Sequence, residues 1–170
     1  IISGSLINAL AIAIRWFSPP DNSLGKWFIL ADIPKFLINF SVPTGNFGDI
    51  YAGYVAIKMG LPANKLIIAT NENDILDRFI KFGNYSINEV AKTSSPSMDI
   101  AIASNFERLL FELNNKSTEK TSKYMDELRT NNGFDVSEDQ VNLVKKLFDS
   151  KRINQDEVES LIKNTYDEFN

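Results

Sequence analysis

One junction limits what this chain can fold into more than anything else in it. Phe36–Val42 is an apolar run of β-branched and aromatic residues that Pro43 stops, and a helical pattern begins within six residues, at Asp49. That pattern runs to Met59, with Gly60 in the position after the helix and Pro62 beyond it. A second short apolar run, Leu66–Ala69, follows. Strand, helix and strand in about 35 residues form a βαβ unit, which requires parallel pairing and a right-handed crossover. The fold class is therefore α/β.

The link between the first strand and the helix is Pro43-Thr44-Gly45-Asn46-Phe47-Gly48. The first amides of a helix have no partner within it, and the positive end of the helix dipole lies behind them. Such a junction is a ready seat for an anion. Gly45 and Gly48 would let the main chain approach an oxyanion with no Cβ in the way. The spacing is neither G-x-G-x-x-G nor a P-loop, because no Gly-Lys-Ser/Thr follows. On the residues alone two readings stand. One is a phosphate seat; the other is a tight turn with Asp49 as an ordinary helix cap.

Further along, start signals recur. Asn71 with Asp74 predicts a helix over Asn73–Phe82 that Gly83 ends, and Ser104 with Glu107 predicts one over Phe106–Leu113. Ser137 with Gln140 and Asn154 with Glu157 repeat the pattern. Val141, Val144, Leu147 and Phe148 would share one helical face, and Val158, Leu161, Ile162, Tyr166 and Phe169 another. Near the start, Leu6–Phe17 reads as a buried helix and Ser18–Gly25 as a loop. Charge and composition shift near Asn114-Asn115. Residues 1–111 balance nine cationic against nine acidic residues, so the net charge of −4 lies wholly in 112–170. All prolines, and every glycine but Gly133, precede that point. The expected division is an α/β portion, 1–114, and a helical extension, 115–170.

Cysteine and histidine are both absent. Disulfides, thiolate nucleophiles, the usual general base and the commonest transition-metal ligand go with them, and no metal is called for. A net-acidic chain without a basic block gains little from a phosphate backbone, so nucleic acid is not an expected partner. The longest apolar run, Leu6–Ile14, is interrupted by Asn8 and falls far short of the roughly 20 residues a membrane-spanning helix needs. No export signal is apparent, and the expected location is the cytoplasm.

Four blocks occur in order: Ser41-Val42-Pro43-Thr44-Gly45-Asn46-Phe47-Gly48-Asp49, Thr70-Asn71-Glu72-Asn73-Asp74, Ser97-Met98-Asp99 and Ser104-Asn105-Phe106-Glu107-Arg108. Together, over about Ile7–Phe111, they resemble threonine synthase. The resemblance implies a pyridoxal 5′-phosphate enzyme of fold type II, a three-layer sandwich with a parallel sheet, here partial and followed by the helical extension. It implies a role in threonine biosynthesis, a lyase reaction that turns O-phospho-L-homoserine and water into L-threonine and phosphate. By the same resemblance Gly45, Asn46, Phe47, Gly48 and Asp49 hold the cofactor phosphate, mainly through backbone N–H groups. The Asp49 carboxylate, unfavourable beside a dianion, is expected to turn toward the helix amides or a cation. Asn71 and Asn73 are candidates for substrate contact, with Ser97 and Arg108 as further ones.

The family's cofactor-binding lysine lies upstream in a Phe-Lys-Asp context, and no Phe-Lys-Asp occurs here. No catalytic residue is therefore expected in this chain, and the C-terminal block that faces the pyridine nitrogen has no counterpart. Where the family has Ser-Ile-Asn-Trp-Ala-Arg, this chain has Leu6-Ile7-Asn8-Ala9-Leu10-Ala11, which keeps only Ile7 and Asn8. The expectation is an internal portion of such an enzyme, inactive alone and completed by the missing N-terminal part. The alternative is a degenerate or truncated remnant that folds or associates without catalysis.

Overall fold

The computed structural model describes residues 38–169. The expected helix Leu6–Phe17, the loop Ser18–Gly25, the departures at 6–11 and the start of the first strand lie outside them. Five strands and six helices follow one another: β1 (Ile38–Pro43), α1 (Gly48–Lys58), β2 (Ala63–Thr70), α2 (Ile75–Phe82), β3 (Asn84–Ser86), α3 (Phe106–Leu113), α4 (Thr118–Asn131), β4 (Gly133–Asp135), α5 (Glu138–Lys145), β5 (Phe148–Arg152) and α6 (Gln155–Phe169). Pro96–Met98 makes one 3₁₀ turn.

The main sheet is parallel throughout, in the order β1-β2-β5. β2 is central, and Leu66, Ile68 and Thr70 alternate along its fully buried face. Phe148 and Ser150 of β5 stand opposite Leu66 and Ile68 in register and are buried with them. α1 covers this face: Gly53 lies over Leu66, and Tyr54 stacks on Phe148 at 5.9 Å. β3 and β4 form a separate antiparallel pair. The core continues as linked rings. Phe106 meets Phe47 at 5.5 Å, Phe79 at 4.5 Å and Tyr85 at 4.4 Å, and Tyr85 meets Phe134 at 5.2 Å. Burial of each such ring is worth roughly 1.5–3 kcal/mol. The Tyr85 hydroxyl accepts the Ala103 amide at 3.0 Å, and burial pushes this phenol up to about 12 against that hydrogen bond.

The expected stops are present: Gly60 follows α1 at φ 110°, and Gly83 ends α2 at φ 79°, donating to Phe79. Ser137 and Gln140 form a reciprocal cap, as do Asn154 and Glu157. Two other caps do not form. α2 begins two residues later than expected: the Asn71 side-chain oxygen accepts the Asn73 amide at 2.9 Å in a turn ahead of the helix, and the Asp74 carboxylate pairs with Arg78 at 2.9 Å. α3 is entered at Asn105 rather than Ser104, with no side-chain cap.

The composition shift near Asn114-Asn115 is crossed by the packing. Beyond it the chain supplies β5, the third strand of the main sheet, and β4, the partner of β3. Phe148, expected on a helical face with Val141 and Val144, is the first residue of β5. β2 offers a free parallel edge there, and five residues of ladder outweigh one further helical turn. α6 keeps its apolar stripe, but Leu161, Ile162, Tyr166 and Phe169 are 54–77% exposed. Among the described residues no helix is long and apolar enough to cross a membrane.

Candidate functional site

β1 ends in register with Ala69, and the Thr44 amide donates to the Ala69 carbonyl at 2.8 Å. The Thr44 hydroxyl donates back to Val42 at 2.6 Å, so this buried threonine fastens the end of the strand. Beyond it the pairing ceases. The six consecutive amides of Gly45, Asn46, Phe47, Gly48, Asp49 and Ile50 have no hydrogen-bond acceptor among the described residues, the first helical bond being Tyr51 to Phe47 at 3.1 Å.

Phe47 explains the shape of this run. It stands immediately before α1 at φ 66°, ψ 8°, a left-handed conformation that an aromatic residue rarely adopts. A left-handed residue followed by helical ones turns successive N–H groups toward one point, the arrangement that makes an anion-binding nest. The conformation costs roughly 1–2 kcal/mol. The ring offsets it, being 1% exposed and packed on Phe106 at 5.5 Å and Phe148 at 6.1 Å.

Opposite the loop stands the 3₁₀ turn. A Cβ on Gly45 would come within 2.8 Å of the Ser97 carbonyl oxygen and 3.4 Å of Met98 Cα. The two segments enclose an open hollow of about 330 Å³, lined by 42–49 with Ser97 and Met98. A larger hollow, of about 480 Å³, lies beside Asn114, Lys120 and Gln140. There the Asn114 amide is already held by Thr121 and Gln140, so the smaller hollow, with its free amides, is the better candidate.

Of the residues singled out from the sequence, Gly45, Asn46, Phe47, Gly48 and Asp49 all line this hollow. Asp49 is not the helix cap. It is the second residue of α1, exposed, and its carboxylate makes no hydrogen bond among the described residues, neither to the helix amides nor to a cation. Arg108 lies over the Tyr51 ring at 5.9 Å, outside the lining.

Asn71 and Asn73 are brought together, but not into the hollow. The Asn71 amide donates to Asp99 at 2.7 Å and to Thr93 at 2.9 Å; the Asn73 amide donates to Asp99 at 3.0 Å and to the Ala91 carbonyl at 2.9 Å. Thr93 adds its amide, at 2.8 Å, and its hydroxyl, at 2.7 Å, to the same carboxylate. The result is a clamp on the stretch that carries Ser97 and Met98. Asp99 and Asn105 are the residues that sequence reasoning left without a role. Asn105 donates to the Asn46 carbonyl across 59 positions, and only its place in the fourth block drew attention to it.

The Thr93 amide, followed by the Thr93 hydroxyl and the two asparagine amides, holds the Asp99 carboxyl below its ordinary range despite some desolvation. A depressed folded-state value stabilises the clamp fully above the ordinary carboxylate pKa and loses that contribution as the pH falls through the folded value. Acidification below about pH 4 is thus expected to loosen the Ser97 wall before the core melts. Asp99→Asn should lower the melting temperature at neutral pH and flatten its acid dependence. Melting curves of both chains from pH 7 down to pH 2 check this, and parallel curves would count against it.

No family model matches the chain. Its similarity to curated proteins is nevertheless high: it is 49% identical over 140 residues to threonine synthase of Saccharomyces cerevisiae, covering 76% of this chain. Against threonine synthase of Pseudomonas aeruginosa it is 42% identical over 133 residues, covering 78% of this chain. The solved structure of pyridoxal-phosphate-bound threonine synthase from Brucella melitensis superposes with a TM-score of 0.72 at 42% identity, over 89% of this chain and 29% of that one. Over the matched span, this chain is homologous to threonine synthases. The yeast threonine synthase structure agrees, with a TM-score of 0.73 at 48% identity over 76% of this chain and 27% of that one. The chain spans 27% of the length of the yeast threonine synthase and 28% of the Pseudomonas one. The partial α/β architecture with its parallel sheet is thus that of threonine synthase structures.

Proposed function

We propose that this chain builds the cofactor-phosphate seat of a threonine synthase. On this reading the whole enzyme uses pyridoxal 5′-phosphate to convert O-phospho-L-homoserine and water to L-threonine and phosphate, in the cytoplasm and on a fold-type II scaffold. The observation that carries it is the run of acceptor-free amides of Gly45–Asp49, residues that line a hollow. The donor set suits the group: neutral N–H groups at a helix start neutralise a phosphate without a lysine or arginine.

In this reading Gly45, Asn46, Phe47 and Gly48 hold the phosphate through main-chain N–H groups, with the α1 dipole behind them. Asp49, exposed in the first turn, complements that dipole from the solvent side. Asn71 and Asn73 serve the substrate side indirectly, by holding Asp99 and through it the Ser97–Met98 wall. The bound cofactor would supply an electron sink for the substrate carbons, and the lysine that holds it would come from a part of the family's sequence not matched here. No observation favours the alternative, a degenerate or truncated remnant without catalytic activity.

The test uses pyridoxine 5′-phosphate, which has no aldehyde to react with surface lysines, and pyridoxine as its phosphate-free control. Titrated into the ¹⁵N-labelled chain, the phosphate ester is expected to move the Gly45–Asp49 amide signals, and pyridoxine is not. Equal responses to both, or none, would overturn the reading. With O-phospho-L-homoserine and pyridoxal 5′-phosphate the chain alone is expected to form no threonine.

A further inference from the structure

The seat depends on a carbonyl that faces away from it. Asn105 begins α3, yet its side chain does not cap that helix. Its side-chain amide donates instead to the Asn46 carbonyl at 2.9 Å, and its main-chain amide donates to the same oxygen at 3.1 Å. In a planar trans peptide the C=O and the following N–H point in opposite directions. Pinning the Asn46 carbonyl on Asn105 therefore aims the Phe47 N–H the other way, and that amide has no acceptor among the described residues. The same two bonds fix the peptide that leads into the left-handed Phe47.

Asn105 is itself rigidly placed. The Ala103 amide donates to the Tyr85 hydroxyl at 3.0 Å, and the Phe106 amide donates to the Ala103 carbonyl at 3.0 Å, so the turn that carries Asn105 is tied to the buried rings. The Asn105 side-chain oxygen does not cap α3, the role an asparagine at this position ordinarily has. Released from Asn105, the Asn46–Phe47 peptide could rotate and turn a carbonyl oxygen, not an N–H, toward an anion.

We infer that Asn105 is a positioning residue for the phosphate seat, acting through the Asn46 carbonyl; the inference rests on the function proposed above. Serine and aspartate separate this role from a merely structural one. Both are favourable at a helix start, so Asn105→Ser and Asn105→Asp should hold or raise the melting temperature. Neither keeps the side-chain amide that donates to Asn46, while the main-chain amide of residue 105 still does. Each is expected to weaken binding of pyridoxine 5′-phosphate about three- to tenfold, the loss of one hydrogen bond, with the larger effect in Asn105→Asp, whose carboxylate would face the carbonyl. In the free chain both should shift the Asn46 carbonyl ¹³C signal. Unchanged affinity in two folded variants overturns the inference and leaves the seat standing. Failure of the unmodified chain to bind at all sinks the seat itself, and the inference with it.

Discussion

Replacing Gly45 by alanine is expected to close the seat, while Gly48→Ala is expected to be mild. Neither glycine has a positive φ, so the difference is one of contact and not of backbone strain. At Gly45 the added methyl would stand 2.8 Å from a main-chain oxygen, that of Ser97. A flexible side chain could move aside; this oxygen belongs to a stretch held by the four groups that donate to Asp99. Either the loop or the wall must shift, and overpacking of this kind costs about 1–3 kcal/mol. At Gly48 the methyl would meet only the Asn105 amide, at an ordinary 3.5 Å. The Gly45→Ala chain should therefore bind pyridoxine 5′-phosphate at least about tenfold more weakly, a difference of roughly 1.4 kcal/mol, and melt lower. Titration followed by ¹⁵N shifts, with melting curves in parallel, checks both glycines. Gly45→Ala with undiminished affinity would show that the Ser97 wall yields freely.

The second large effect falls on Phe47. Truncation to alanine removes a ring that is 1% exposed and touches both Phe106 and Phe148. A buried Phe→Ala change costs about 3–5 kcal/mol, a large part of the 5–15 kcal/mol that holds a typical domain together. Phe47→Gly carries the more specific signature. It leaves the same cavity but relieves the left-handed strain of roughly 1–2 kcal/mol, which outweighs the extra chain entropy glycine loses on folding. Denaturant titration should find the glycine variant at least as stable as the alanine variant, the reverse of their usual order. Alanine clearly above glycine would mean that φ 66° is not strained here, and a loss under about 1 kcal/mol would mean the ring is not a core residue.

Much of the architecture around the seat was legible because it is local. Pro43 ends a ladder by lacking an N–H, and Gly60 and Gly83 end helices by accepting positive φ; each acts within a few residues of itself. The Phe47 conformation was not legible. An aromatic residue argues against a left-handed turn, and only the pocket formed by Phe106 and Phe148 reverses that preference. β5 was hidden for a similar reason. Phe148-Asp149-Ser150-Lys151-Arg152 has one apolar residue and no β-branched one, so its strand character comes from the open edge of β2. Asn71 illustrates the converse error: its side-chain oxygen does accept a main-chain amide, that of Asn73 at 2.9 Å, but in a turn ahead of α2, and only the fold shows that its NH2 group is spent on Thr93 and Asp99.

By itself, then, the order of residues determined the strand–turn–helix–strand unit, the residues of the turn and the likeness of four blocks to one family. These follow from covalent geometry and short-range hydrogen bonding, which need no distant partner. Only the tertiary structure decided that Asn105 holds Asn46, that Asp99 gathers Thr93, Asn71 and Asn73, and that Gly45 rather than Gly48 has no room for a methyl group. Those choices are made between groups up to 59 positions apart, where loop closure has first to be offset by burial of the core. No local pattern encodes which donor and acceptor then come within 3 Å.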